Sequence, residues 1–215
     1  MTKHDVANRL AALYPRRWLQ GYVRWKVRMD PAYRAAFAVL QDRTLPLLDL
    51  GCGLGILAFY LREHGYTAPI LGIDFDERKI ELARNAATRY RGIDFIAGDA
   101  RAPLPEGHDV VLLDLLHYFD ADSRKRIMAG VARAVARDGV VVIRQAIHDG
   151  SWRARFTAFI DDAARTLRWM KAEKLQLPTR EEIVSAFDGF EVEVKPLRGM
   201  MTYNNYLFVF RRVSS

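Results

Sequence analysis

Leu47-Leu48-Asp49-Leu50-Gly51-Cys52-Gly53-Leu54-Gly55-Ile56-Leu57-Ala58 decides the fold of this chain, because an apolar run enters a glycine-spaced turn that opens at once into a helical pattern. Leu47 to Leu50 read as a short buried strand and Ile56 to Leu61 as the start of a helix. Gly51, Gly53 and Gly55 permit positive φ and close backbone approach, and the first N–H groups of the helix face the loop. The turn is shaped to hold a ligand against bare backbone.

The spacing discriminates between ligands. A dinucleotide fingerprint reads G-x-G-x-x-G, with pyrophosphate on the helix N-terminus. Here the third glycine comes one residue early, and Asp49 stands two residues before the first, where its charge opposes a pyrophosphate. An acid beside free amides suits a ligand with a cationic amine, a carboxylate and a ribose. The string D-L-G-C-G-x-G resembles the first motif of the class I S-adenosylmethionine (SAM) methyltransferases. A nicotinamide or flavin Rossmann domain, and a βα turn that binds nothing, are the other readings of the same glycines.

The next strand, Pro69 to Asp74, ends in an acid placed to accept hydrogen bonds from ribose hydroxyls, and Asp76 caps the helix that follows. Gly72-Ile73-Asp74-Phe75-Asp76 resembles the family's second motif, which implies Asp74 on the ribose and Phe75 against the adenine. Residues 93–97 alternate as a third strand before Gly98-Asp99-Ala100. By the same resemblance Asp99 takes the adenine amino group and the Ala100 N–H a ring nitrogen. The near-continuous apolar run from Asp109 to Phe119 is a central parallel strand that delivers Asp114, Leu115 and His117 to the crevice above the sheet. Asp114 and Leu115 fall on the cofactor side, and His117 is the candidate catalytic group, as general base or as a group that positions the acceptor.

A helix over about residues 121–137 and a β-branched strand over 139–144 complete the core. Residues 4–20 read as helical with a break at Pro15, 21–29 are open between strand and helix, and 33–40 favour helix. Residues 151–171 carry apolar side chains at helical spacing. Thr179-x-x-Glu182 is a capping box, and 190–194 and 206–210 alternate as two final strands. The expected architecture is a single α/β domain. It has a Rossmann-like class I methyltransferase fold with a seven-stranded, mostly parallel sheet, an antiparallel edge strand and helices on both faces. Residues 1–46 form an N-terminal helical lid, 47–145 the SAM-binding core, and 146–215 a lid helix with the last two strands. The resemblance places Tyr14, Tyr22 and Lys26 as lid residues over the acceptor. Core aromatics and a solvated lysine are the plainer reading of the same three.

Composition narrows the function classes. The single cysteine, Cys52, excludes an internal disulfide framework and a Cys-based metal site, and it fits a small spacer in the turn and a reducing compartment. No apolar run is long enough to span a membrane, so a cytoplasmic protein is expected. The net charge of +7 divides unevenly: residues 1–46 carry +6, 47–150 carry −2 and 151–180 carry +4. The basic excess lies outside the core and suits an acidic acceptor, or one on an acidic carrier, as well as it suits solvated arginine faces.

Taken together, the motifs imply SAM-dependent O-methylation of a small molecule, with S-adenosylhomocysteine as product and no metal. Tyr22-Val23-Arg24-Trp25-Lys26 with Asp30-Pro31 resembles small methyltransferases of aryl-polyene pigment biosynthesis, which implies a phenolic acceptor, free or on an acyl carrier protein. An RNA or protein methyltransferase and a non-catalytic SAM- or nucleotide-binding module remain as alternatives. The chain carries no N/D-P-P-Y-type motif, no paired catalytic cysteine and no RNA-binding appendage.

Overall fold

The computed structural model describes residues 3–147, 176–197 and 204–213. Three helices come first: α1 (Lys3–Ala11), α2 (Arg17–Met29) and α3 (Ala32–Leu40). The core then alternates β1 (Leu47–Leu50), α4 (Ile56–Glu63), β2 (Ile70–Asp74), α5 (Glu77–Ala87) and β3 (Ile93–Ala97). No helix joins β3 to β4 (Asp109–Leu113), because Pro103 and Pro105 punctuate that connection. A 3₁₀ turn (Leu116–Tyr118), α6 (Ala121–Ala134), β5 (Val140–Ala146), α7 (Arg180–Val184), β6 (Phe190–Pro196) and β7 (Asn205–Arg212) follow. The amphipathic helix expected over 151–171 lies outside the described residues.

The seven strands form one sheet in the order β3-β2-β1-β4-β5-β7-β6. The first five are parallel, while β7 runs antiparallel to both β5 and β6. The antiparallel pairing therefore lies at the β5 end, with β7 inside it and β6 on the rim. Parallel strands covered on both faces should be apolar at every position, and β5 is buried throughout.

The pleat sorts those side chains into two cores. Leu47, Val111, Val140, Val142, Leu207 and Val209 pack beneath α1 to α5, whereas Leu48, Leu50, Val110, Val141, Phe208 and Phe210 pack against α6 and α7. Strand order reverses between β1 and β4, which opens the ligand crevice above their C-terminal ends.

The stretch 21–29, ambiguous as sequence, is helical. Leu19, Val23 and Val27 recur every fourth residue and are buried, while Tyr22 and Trp25 of the apparent alternation are exposed. Helix α1 stops at Ala11, short of Pro15, and α2 restarts beyond it. The N-terminal helices are tied to the sheet at its lower edge, where Arg43 forks onto the fully buried Asp109 at 2.9 and 3.0 Å. Among the described residues no helix is long and apolar enough to cross a membrane.

Candidate active site

The loop after β1 is built from three left-handed glycines, with φ of 81° at Gly51, 54° at Gly53 and 75° at Gly55. Two are enforced by packing as well as by φ. A Cβ on Gly51 would lie 2.8 Å from Leu115 Cδ1, and one on Gly55 would lie 2.4 Å from Phe95 Cζ. Gly53 differs: its Cβ would meet nothing nearer than Asp74 Oδ2, at 4.0 Å. The space above Gly53 is free of protein.

Asp74 closes this loop onto the next one. Its Oδ2 accepts from Gly53 N–H at 2.9 Å and its Oδ1 from Asp76 N–H at 2.9 Å, so each oxygen keeps lone-pair capacity for a further donor. Beside it, Phe75 is 76% exposed at the strand end, a large aromatic face that the fold leaves uncovered. Tyr14 supports the loop from above by donating to Leu54 O at 2.7 Å. Read from sequence as a lid residue, Tyr14 is instead buried in the core with its hydroxyl engaged, and burial raises its pKa.

Asp49 is the exceptional group. It is 2% exposed, and its Oδ2 is buried with no hydrogen-bond partner. Burial, and then the charge of Asp74, push its carboxyl up to about 7. An orphaned carboxylate oxygen beneath a glycine cradle is costly unless a ligand donor or cation meets it. Cys52, next in the loop, has its thiol pushed up by burial and by both acids, which suits a spacer and not a nucleophile.

The remaining positions fall at the ends of β3 and β4. Asp99 is half-exposed and gripped by Arg101 at 2.6 Å, with Arg101 N–H donating to it as well. The Asp99 carboxylate is thus turned onto its own loop, and the arginine holds it below the usual range. Ala100 is buried. Leu115 lies against Gly51, and Asp114 stands at φ 59°, in the region that Asp tolerates better than most side chains.

A buried ionic chain that the sequence reading missed links the N-terminal helices to this end of the sheet. Lys26 pairs with Asp30 at 3.0 Å, Asp30 faces Arg144 at 3.6 Å, and Arg144 pairs with Asp114. The two cations lower the Asp30 carboxyl against the opposing effect of burial. The available signal was Arg144-Gln145 interrupting the β-branched run of β5, and Asp30 between two helices. Next to this chain, Gln145 hydrogen-bonds His117 Nδ1 at 3.0 Å. The structure therefore brings Asp49, Gly53 and Asp74 together after β1 and β2, links Lys26 to Asp114 through Asp30 and Arg144, and ties His117 to Gln145. Tyr22 lies on α2, exposed.

The glycine loop after β1 and the acid ending β2 thus both stand at the C-terminal ends of parallel strands, where open α/β sheets bind their ligands. Residues 47–139 match the family described as a methyltransferase domain. The chain is 34% identical to myricetin 3'-O-methyltransferase 4 of Solanum lycopersicum over 101 residues, 46% of this chain and 26% of that protein. It is 35% identical to the ribosomal protein L11 methyltransferase of Burkholderia orbicola over 91 residues, 40% of this chain and 29% of that one. The chain thus spans little more than a quarter of the length of these relatives. In fold it is similar to the magnesium protoporphyrin IX methyltransferase of Synechocystis, with a TM-score of 0.69 at 16% identity and 98% of both chains covered. The pyocyanin biosynthetic protein PhzM superposes with a TM-score of 0.68 at 20% identity, over 90% of this chain and 58% of that chain.

The residues present fit SAM. The unpartnered Asp49 oxygen offers a site for a cationic amine, the space over Gly53 admits a ligand against backbone, and Asp74 retains acceptor capacity toward a ribose.

Proposed function

We propose that this protein transfers a methyl group from SAM to an oxygen of a small-molecule acceptor. The observation that carries the reading is the buried, unpartnered carboxylate oxygen of Asp49 under the Gly51 to Gly55 loop. Asp49 would neutralise the amino group, the open space over Gly53 would admit the amino-acid portion, Asp74 would hold the ribose, and Phe75 with the Ala100 backbone would take the adenine. When bound, the sulfonium supplies a methyl group activated for in-line displacement, without metal or covalent intermediate.

The chain's own part is then to hold the acceptor in line with the methyl group. Residues at the ends of β4 and β5 form a rigid polar wall, since Arg144 is held from two sides by Asp30 and Asp114. His117, in the 3₁₀ turn after β4, is hydrogen-bonded to Gln145 of β5. Small-molecule O-methylation is favoured by the plant relatives, and the likeness to the ribosomal protein methyltransferases keeps a protein acceptor as the second reading. An acidic acceptor, free or on a carrier, is supported by the basic residues 1–46, and a cytoplasmic setting by the lone cysteine.

Calorimetric titration with SAM, S-adenosylhomocysteine and NADH tests the cofactor. Binding of the first two and not the third is expected, and NADH binding without SAM affinity would overturn the assignment. Labelled SAM with source extracts, followed by mass spectrometry, would then identify the acceptor.

A further inference from the structure

Gln145 is fully buried, and its amide orientation follows from a partner that has only one role. The Leu116 backbone N–H can only donate, so the atom it meets at 3.1 Å is the Gln145 oxygen, Oε1. The amide nitrogen then faces the other way. It lies 3.1 Å from the Ala146 carbonyl and 3.0 Å from His117 Nδ1. One amide hydrogen serves the carbonyl and the other the imidazole, so Nδ1 must accept, and the proton of the neutral ring sits on Nε2.

The surroundings oppose protonation of that ring. Burial depresses His117 to about 4; the Gln145 hydrogen bond works against that shift, and the Lys26 ammonium on α2 adds a smaller lowering effect. The Tyr118 ring lies against it with centroids 4.2 Å apart. The nearby acids, Asp30 and Asp114, are engaged with Lys26 and Arg144, and among the described residues no carboxylate hydrogen-bonds His117. Protonating Nδ1 would also set a ring N–H against an amide N–H inside the protein, which costs the desolvation of both donors.

We propose that Gln145 is a positioning residue that locks His117 as a neutral Nε2–H donor. We further propose that the site takes acceptors whose oxygen is already anionic, carboxylates before un-ionised phenols. The acceptor part rests on the methyl-transfer reading, whereas the tautomer part does not. An oxyanion that forms the new O–CH₃ bond becomes a neutral ester. The S–CH₃ bond breaks with its electron pair left on sulfur, the positive and negative charges cancel, and no proton moves. A neutral phenol must also lose a proton, and His117 has no nitrogen to receive it: Nδ1 is bound to the amide and Nε2 already carries hydrogen. What the Nε2–H can do is hold an oxyanion in place.

Histidine-¹⁵N-labelled protein, with a His117→Gln variant for assignment, tests this by long-range ¹H–¹⁵N correlation between about pH 5 and 9. The expected result is an unprotonated Nδ1, a protonated Nε2 and no titration in that range. Replacing the amide by a carboxylate in Gln145→Glu should invert the tautomer and raise the ring pKa by about one unit or more. A wild-type Nδ1–H tautomer, or titration near the ordinary value of about 6.5, would overturn the proposal without reliance on any variant. S-adenosylhomocysteine calorimetry on the same sample separates the two claims. Binding with the wrong tautomer removes the role of Gln145 and leaves methyl transfer intact; the right tautomer without binding removes methyl transfer and the acceptor class with it. With matched aromatic carboxylates and phenols as probes, methyl esters are expected at neutral pH. Ethers of un-ionised phenols formed at comparable rates would refute the acceptor class.

Discussion

The Asp74 carboxylate receives the Gly53 N–H on one oxygen and the Asp76 N–H on the other, each at 2.9 Å, so the end of β2 and both adjoining loops form one hydrogen-bonded unit. Asparagine is not conservative there, because its NH₂ would confront one of the two N–H groups. Asp74→Asn and Asp74→Ala should both weaken SAM by about 1.5–3 kcal/mol, the range for hydrogen bonds to charged groups. Calorimetry measures this directly, and wild-type affinity in either variant would detach Asp74 from the ligand.

Asp49 gives a pH prediction of definite sign. Its folded pKa, about 7, is raised above the unfolded carboxyl's. Between the two values the folded state holds a proton that the unfolded state has lost, so the stability of the ligand-free protein falls as pH rises from about 4 to 7. Asp49→Asn should flatten that segment of the curve and raise the melting temperature at about pH 8. Because a cationic amine would favour the carboxylate, SAM binding at about pH 6.5 should release part of a proton, seen as a dependence of calorimetric enthalpy on buffer ionisation. Equal enthalpies in all buffers would argue against contact between Asp49 and the amine.

Gly53 and Gly55 should separate binding from folding. Gly55→Ala drives a methyl into Phe95 and should leave little folded protein. Gly53→Ala meets open space, costs only about 1–2 kcal/mol for its left-handed φ, and should fold yet bind SAM poorly. Circular dichroism melts paired with ligand titration decide; Gly53→Ala with full affinity would mean the space above it is not the ligand's.

The structure trims the charge available to an acidic acceptor. Arg9, Lys26 and Arg43 pair with Glu63, Asp30 and Asp109, and Arg24 and Arg28 share Asn8. Arg34 on α3 is exposed, as are Arg16 and Arg17, adjacent at the start of α2. If Arg16 and Arg17 steer an acidic acceptor, catalytic efficiency should fall several-fold between about 0.02 and 0.5 M salt with little change in maximal turnover. Reversing both charges should reproduce the loss at low salt. A flat salt profile would leave the arginines as solvated surface.

How far the sequence could be read follows from which interactions are local. The Leu47 to Ala58 turn and the caps at Asp76 and Thr179 are encoded within a few residues, and the Asp76 side chain accepts from Arg78 N–H as a cap should. Helix α2 resisted because interleaved arginines mimic strand alternation until burial is known. The ionic chain was hidden for another reason. Lys26 and Asp114 stand out in sequence as separate site candidates and Asp30 and Arg144 not at all, and only the meeting of α2, β4 and β5 brings the four together. Asp99 shows a third case: its motif position was plain, but its grip on Arg101 is a two-residue contact that no motif describes.

The helices before β1 have consequences for synthesis. Arg43 waits for Asp109, 66 residues later, and Asp30 for Arg144, later still. A chain emerging from the ribosome could pack α1 to α3 on one another and on α4, but their ties to the sheet must wait for β4 and β5, a high-contact-order closure. Chaperone demand and sensitivity to translation rate should therefore concentrate in the interval between Leu40 and Val140.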